Sequence, residues 1–442
     1  MKKSIIIFFF IIHANQNPLS FLSSQRIDIV VKYMFADALT LNLKTNWQKN
    51  IYIEHLKAWN NFTEIVYLKD KKLLPHYECS FPYVEKKCKD DFINSFNKTL
   101  HSLKKGFDPS KSIIPIGKNN IPLDGSHRLA SAIYFKKNVI CKHFDHPGTI
   151  CTIDLLKKRG LSPDKLDSII YEYIKLKTNI YTACIFTPCT NLAFAKKVIS
   201  SIGSIIYEKE INLTKIGTQN FINILYFQDF FEGMLNPFTI EKAKNCFPRP
   251  PCKVNLVFFE CQNLQQTRVA KDQIRKKMKG YDSIHINDTQ EETLKVAQAT
   301  LNNNSLHFIN NTQKLMSMKN FQKLLKKLHT YIDKTNLDKE KICIDTSSIL
   351  AAYGLRDCAD IDVIHHKSIK TKFTPPFIES HNTEAKYHSK NLDDLIFNPR
   401  NHFYFEGIKF CTLDILYQMK LKRNEPKDQQ DCKLIKQIIR KK

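Results

Sequence analysis

At 442 residues the chain is longer than one ordinary core, and two to four domains are expected. Hydrophobic residues make up 43% and aromatics 11%, with only 11 glycines, which excludes a disordered chain. The net charge of +25 would ordinarily point to a polyanionic partner; yet only 10 of the 68 basic residues are arginine and no basic run carries interleaved aromatics, so nucleic acid is not the expected ligand.

The chain opens MKKSIIIFFFIIHANQ. A basic start, an apolar run from Ile5 to Ile12 and Ala14 as a cleavage residue fit a signal peptide over 1–14; a first buried strand or helix is the alternative. With the leader removed the protein is exported, periplasmic or secreted; otherwise it is cytoplasmic. The run is too short to span a membrane, and no other segment is a transmembrane candidate.

Residues 20–105 read as helical, from the apolar spacing of RIDIVVKYMFADAL and YIEHLKAWNNF and from FINSFNKTLHSLKKG, closed by Gly106. Next come two short strands, IIPIG and IPL, around the turn KNN. DGSHR follows and runs into the helix LASAIYF. A helix N-terminus with free amides favours an anion, and phosphate is the expected guest. Residues 112–135 resemble the ParB/sulfiredoxin superfamily, whose nucleotide-binding members carry a Gly-x-His-Arg box at this place. The resemblance implies that Gly125, Ser126, His127 and Arg128 bind nucleotide phosphate; Asp124 either caps the helix or orients groups around that phosphate.

From 179 to 311 strands and helices alternate (YTACIFTP, LAFAKKVISSIG, SIIYEKEINLT, VNLVFFE, QTRVAKDQIRKKM, DSIHIN, QEETLKVAQATL), which suits a ferredoxin-like sheet. The last part resembles the nucleoside diphosphate kinase signature at His285, Asn287, Asp288, Thr289 and Glu291, with Arg275 at the phosphate-binding arginine. The resemblance implies a phosphohistidine at His285. Two departures weaken it: Thr187-Pro188-Cys189 replaces the family's Lys-Pro-Asp, and Val296 replaces the glutamate that orients the imidazole. On the bland reading, Asp288 and Thr289 cap a helix and His285 is structural. NNNSLHFINN, 302–311, reads as a linker.

In the final unit, 318–442, FQKLLKKLHTYI is an amphipathic helix and KICID a strand. Thr346, Ser347 and Ser348 are cap residues for the helix ILAAYGL, and Asp360-Ile361-Asp362 begins a strand. Alternation sets the two carboxylates on one face, where they repel unless a divalent cation or water screens them. The order resembles the nucleotidyltransferase (polymerase-beta-like) superfamily. That resemblance implies Asp360 and Asp362 as catalytic ligands of Mg²⁺, and Ser347 and Ser348, in the Gly-Ser place, as binders of a nucleoside triphosphate. It also implies a third strand carboxylate, for which Glu406 is the choice, with Asp414 or Glu379 as alternatives. Downstream, Lys420, Arg423, Lys427, Asp428 and Asp431 match a Lys/Arg helix followed by Lys-Asp-x-x-Asp; Lys420 and Arg423 would address phosphates or pair with the aspartates.

Thirteen cysteines show no CxxC pair. Cys246 and Cys252 are spaced either for a disulfide or as buried thiols. The sequence therefore reads as a multi-domain α/β and α+β chain, with ParB/sulfiredoxin-like, ferredoxin-like and nucleotidyltransferase-like units in tandem. Its expected chemistry is Mg²⁺-dependent nucleotidyl or phosphoryl transfer from a nucleoside triphosphate. By analogy with bacterial surface-polysaccharide proteins, the acceptor is a sugar or glycan. The alternatives are a degenerate nucleotide sensor and an exported structural envelope protein.

Overall fold

The structure, a computed structural model, describes residues 15–439 apart from 45, 59–88, 112, 149, 227–236, 279, 314, 316, 371–372 and 374–376. The segment 1–14, expected to be a signal peptide, lies outside the described residues. The chain is mixed α/β and falls into two compact units: one holds the residues up to Asn42 with Gln48–Ile169, the other holds Leu43–Trp47 with Ile170 onward. No helix among the described residues is long and apolar enough to cross a membrane.

The first unit contains β1 (Asn15–Gln16), α1 (Asp28–Thr40), α2 (Trp47–Ala58), α3 (Lys89–Lys105), β2 (Ile114–Ile116), α4 (Ser126–Tyr134), β3 (Val139–His143), α5 (Ile153–Lys158) and the start of α6 (Pro163–Leu176). Its sheet has the order β1-β3-β2, with β2 parallel and β1 antiparallel to β3. The IPL segment is not a strand: Pro122 makes a single bridge to Ile116. α1 is apolar almost all round and is buried, as such a helix must be. Phe35 stacks on Tyr52 with ring centres 3.9 Å apart, and Phe96 closes the group.

The second unit carries two sheets. The first is formed by β4 (Ile180–Ile185), β5 (Ser204–Leu213), β6 (Cys252–Glu260) and β7 (Ile284–Ile286), all antiparallel, in the order β5-β6-β4-β7. Between the strands lie α7 (Leu192–Ile202), α8 (Lys215–Leu225), α9 (Pro237–Cys246) and α10 (Leu264–Met278); α11 (Gln290–Thr300) follows. Alternate residues of each strand form the core with α7 and α10, among them Ala183, Ile185, Val257, Phe259, Ile284 and Ile286. Cys246 and Cys252 are free thiols, Cys246 being buried at the end of α9, so the disulfide alternative is not the one found.

Residues 302–311 are not a linker. They form α12 (Asn303–Asn311), because the Asn302 side chain accepts from the amides of Asn304 and Ser305 and caps the helix. α12 joins the two sheets: Phe308 stacks on Phe403 at 4.5 Å, and Ser305 accepts from the amide of Tyr404. Beyond it lie α13 (Lys319–Thr335), β8 (Ile342–Asp345), α14 (Ser347–Ala352), β9 (Ile361–His365), β10 (Ile378–Ser380), α15 (Leu392–Phe397), β11 (His402–Phe405), β12 (Ile408–Cys411), α16 (Leu413–Arg423) and α17 (Pro426–Ile439). The second sheet runs β10-β9-β8-β12-β11; β10 is parallel to β9, and β12 to β8.

Candidate active site

β8 and β9 are antiparallel, with Asp345 opposite Asp362. β10 runs alongside β9 with Glu379 beside Asp362. Ile361 and Val363 are fully buried, so the alternate residues Asp360 and Asp362 share the opposite, partly open face. Two strand pairings, β8 with β9 and β9 with β10, thus bring Asp345, Asp360, Asp362 and Glu379 to one end of the sheet.

Their charges are balanced unequally. Burial alone would raise Asp345, but hydrogen bonds from His381 Nδ1 (3.0 Å) and His388 Nε2 (2.8 Å) to its Oδ2 outweigh burial and hold its carboxyl below the usual range. Asp362 is raised by burial and then by Asp345 and Glu379; a hydrogen bond donated by Thr346 Oγ1 and the nearby His381 offset this only in part. Asp360 is raised by burial and next by the Asp362 charge. Two adjacent carboxylates are therefore left under-compensated. That is the electrostatic condition a hard cation relieves.

The turn between β8 and α14 bears on the same place. Thr346 adopts φ 55°, ψ −135°, a region normally left to glycine, where a β-branched residue is strained by about 1–3 kcal/mol. The sequence reading put Ser347 at the glycine place; the backbone puts Thr346 there, and Ser347 opens the helix, half-buried. Ser348 is buried and donates to the Asp360 carbonyl at 3.0 Å, so it fastens the entry to β9 and does not face a phosphate.

Among the described residues no group of three or more His, Cys, Asp or Glu side chains is arranged to hold a metal ion by itself. Mg²⁺ does not need such a cage: it is commonly held by one or two carboxylates together with water and substrate phosphates. Asp360 and Asp362, oxygen donors raised by burial and then by neighbouring carboxylates, fit that requirement.

Other expectations are corrected. Glu406 is not a third ligand of the Asp360–Asp362 site. It sits in the two-residue turn of the β11–β12 hairpin, and since Phe410 pairs with Ile344, that turn lies toward the opposite end of β8. Glu379, the alternative, lies in register beside Asp362. Asp414 lies in the first turn of α16. Lys420 and Arg423 do not face a phosphate: Lys420 Nζ binds Asp428 at 2.9 Å and Asp431 at 2.7 Å, and Arg423 binds Asp428 with two nitrogens. Arg356, which the sequence reading passed over, grips Asp431 with Nε at 2.5 Å and Nη2 at 2.7 Å. Lys427 lies on the exposed start of α17 and pairs with Glu425 at 3.2 Å.

In the first unit, Gly125 takes φ 84° and admits the turn into α4. The polar groups of the box are already engaged. Ser126 accepts from Lys32 Nζ (2.6 Å), His127 Nε2 meets the Tyr52 hydroxyl (2.9 Å), and Arg128 binds Asp124 (3.1 Å) and the Ile113 carbonyl (3.1 Å). Asp124 is therefore the partner of Arg128; α4 has no side-chain cap.

His285 lies on β7 with its ring edge against Tyr226, and its buried Nε2 has no hydrogen-bond partner among the described residues. Burial first, then Lys271 and Arg275, push it down to about 3, so it is neutral at physiological pH. Neutrality is the form a nucleophilic imidazole needs, but Val296, buried where the kinase family has the orienting glutamate, offers no hydrogen bond. Lys271 and Arg275 instead donate to the carbonyls of Ile286 (3.2 Å) and Ile284 (3.3 Å). They cover the free edge of β7, a common way to blunt an edge strand. Thr289 caps α11 in a capping box with Glu292, as the bland reading holds, whereas the Asp288 side chain pairs with Arg268 and Lys271.

Comparison of the chain with protein-family models, with curated proteins and with solved structures returned no match.

Proposed function

We propose that the end of the β8-β9-β10 sheet is the active centre of a Mg²⁺-dependent nucleotidyl- or phosphoryl-transferase that uses a nucleoside triphosphate. The observation that carries the reading is the pairing register: it sets Glu379 beside Asp362 and places the strained Thr346 turn against the same carboxylates. Strand, glycine-like turn, short helix and Asp-x-Asp strand support the nucleotidyltransferase-like reading, as the order β5-β6-β4-β7 supports a ferredoxin-like one. Asp360 and Asp362 would hold the Mg²⁺, with Glu379 at their side. The ion would supply charge stabilisation at the triphosphate and activation of the acceptor oxygen. Thr346 fixes the Asp362 carboxylate, Asp345 holds His381 and His388 behind it, and Ser348 anchors the strand entry. The acceptor is proposed to be a sugar or surface glycan.

Calorimetry with Mg-ATP and Mg-CTP, followed by product analysis on the wild type and on Asp360→Ala, tests this. The wild type is expected to form a metal-dependent product, and the variant to lose it by about a hundredfold or more. A second reading, a nucleotide sensor without turnover, draws on the missing lysine and glutamate of the kinase-like unit. Nucleotide binding without product in the wild type would favour that sensor. A third, the exported structural envelope protein, draws on the signal-like opening alone; a mature N-terminus at Asn15 would lend it weight.

A further inference from the structure

α13 takes no part in the transfer site, yet its two sides differ sharply in charge. Phe321, Leu324, Leu325, Leu328 and Ile332 are buried and hold the helix to its unit. At 3.6 residues per turn the opposite side carries Lys319, Lys323, Lys326, Lys327 and Lys334, all exposed, within roughly 100° of the circumference and along about 22 Å. None of the five makes an ion pair among the described residues, and Asp333 is the only acid in the helix. A solvated helix face commonly sets glutamate four residues from lysine, which cancels its field. Here Lys319 and Lys323, and again Lys323 and Lys327, are like-charge pairs at that spacing, and their repulsion is relieved by anions from outside the chain.

Exposed aromatic surface borders the stripe. Phe377 is 46% exposed, with Lys327 Nζ 3.5 Å from its ring centre; Tyr331, half-buried on the same flank of α13, meets Phe373 with ring centres 6.0 Å apart. Lysine is a compact, hydrated point charge without the planar fork that reads the geometry of a single phosphate. Five of them suit anions that can move sideways to meet them. One face of Phe377 is already taken by an ammonium, so the ring offers an edge to an apolar layer rather than an open platform for a stacked base.

We propose that α13 docks the protein, lying flat, on a bilayer rich in anionic lipid, with its lysines against the headgroup phosphates and Phe377 at the boundary of headgroup and acyl chain. The apolar side of the helix stays in the core, so the contact is peripheral and salt-sensitive. It does not depend on the transfer reading, since none of that site's carboxylates takes part. The test is co-sedimentation of the full chain with vesicles of phosphatidylcholine alone and of phosphatidylcholine with about 30% phosphatidylglycerol, at about 0.1 M and 0.5 M salt. The wild type is expected to bind the anionic vesicles at low salt and to leave them at high salt. Lys323→Gln/Lys326→Gln/Lys327→Gln should bind at least about thirtyfold more weakly, and Phe377→Ala about threefold. Lys244→Gln/Lys276→Gln/Lys277→Gln removes the same charge from exposed lysines of α9 and α10 and should bind within about threefold of the wild type. No binding to the anionic vesicles, equal binding to the neutral ones, equal loss in the two triple variants, or a Phe377→Ala variant that binds like the wild type overturns the proposal. So does tighter binding of a single-stranded thymidine oligonucleotide of about twenty nucleotides that is lost in the α13 triple variant, which would make the stripe a nucleic-acid surface.

Discussion

The aspartates of β9 and those of α17 are the same residue type within one unit of the fold, yet they face opposite circumstances. Asp428 and Asp431 are buried at 1% and 2% exposure, and three cations, Lys420, Arg423 and Arg356, surround them. Burial would raise both carboxyls, but hydrogen bonds from those cations win and lower them. Asp360 and Asp362 have more exposed surface and yet are raised, by burial first and then by neighbouring carboxylates, which Thr346, His381 and Lys427 offset only in part. Burial alone therefore does not tell a structural charge from a functional one. What separates them is whether the chain itself supplies the counter-charge.

The strongest way to break this contrast is to open the closed network. Lys420→Met removes the cation shared by both aspartates and is expected to cost about 3–5 kcal/mol, read as a fall in the urea midpoint; a loss under about 1 kcal/mol would mean that the arginines suffice. Next in size is Asp362→Asn, which removes like-charge repulsion and is expected to stabilise the protein by about 1 kcal/mol near pH 7. The sign follows from the raised carboxyl. A group that holds its proton more tightly when folded disfavours the fold above its folded value, and this cost disappears as pH falls below the unfolded value. Tm against pH should therefore show the variant ahead at neutral pH and level with the wild type in acid. The lowered Asp428 works in the opposite sense, stabilising above the ordinary aspartate range and losing that contribution on acidification. The smallest expected effect is that of Thr346→Gly. Relief of about 1–3 kcal/mol of strain is offset by glycine's entropy and by the lost hydrogen bond to Asp362, leaving a gain of at most about 1 kcal/mol. A clear loss of stability would show that the turn is not strained.

Much of the fold was legible because its signals are local. Alternation marked β4, β5 and β6, and the amphipathic run of α13 stood out in FQKLLKKLHTYI. The Asp-x-Asp pair was legible for the same reason. Asp345, His381 and His388 were not, and Glu379 stood only as an alternative to Glu406, because they join the site through strand pairings and hydrogen bonds that link residues up to 43 positions apart. Thr346 was misplaced by one because a glycine conformation is expected at a glycine. The closure of Lys420 by Asp428 and Asp431 left a faint trace: Asn424, in the left-handed conformation, ends α16 and folds α17 back, bringing residues 8 and 11 positions apart together. The linker reading failed because a run of asparagines looks like loop composition, whereas Asn302 is a helix cap.

α12 has a consequence for how this chain can be divided. Phe308 lies against Phe403, and Asn302 donates to the carbonyls of Pro399 and His402, so the segment that ends the first sheet is also part of the wall of the second. Cutting between them would strip an aromatic face bare and orphan two carbonyls. Any shuffling of this gene that preserves a working protein must carry both sheets together.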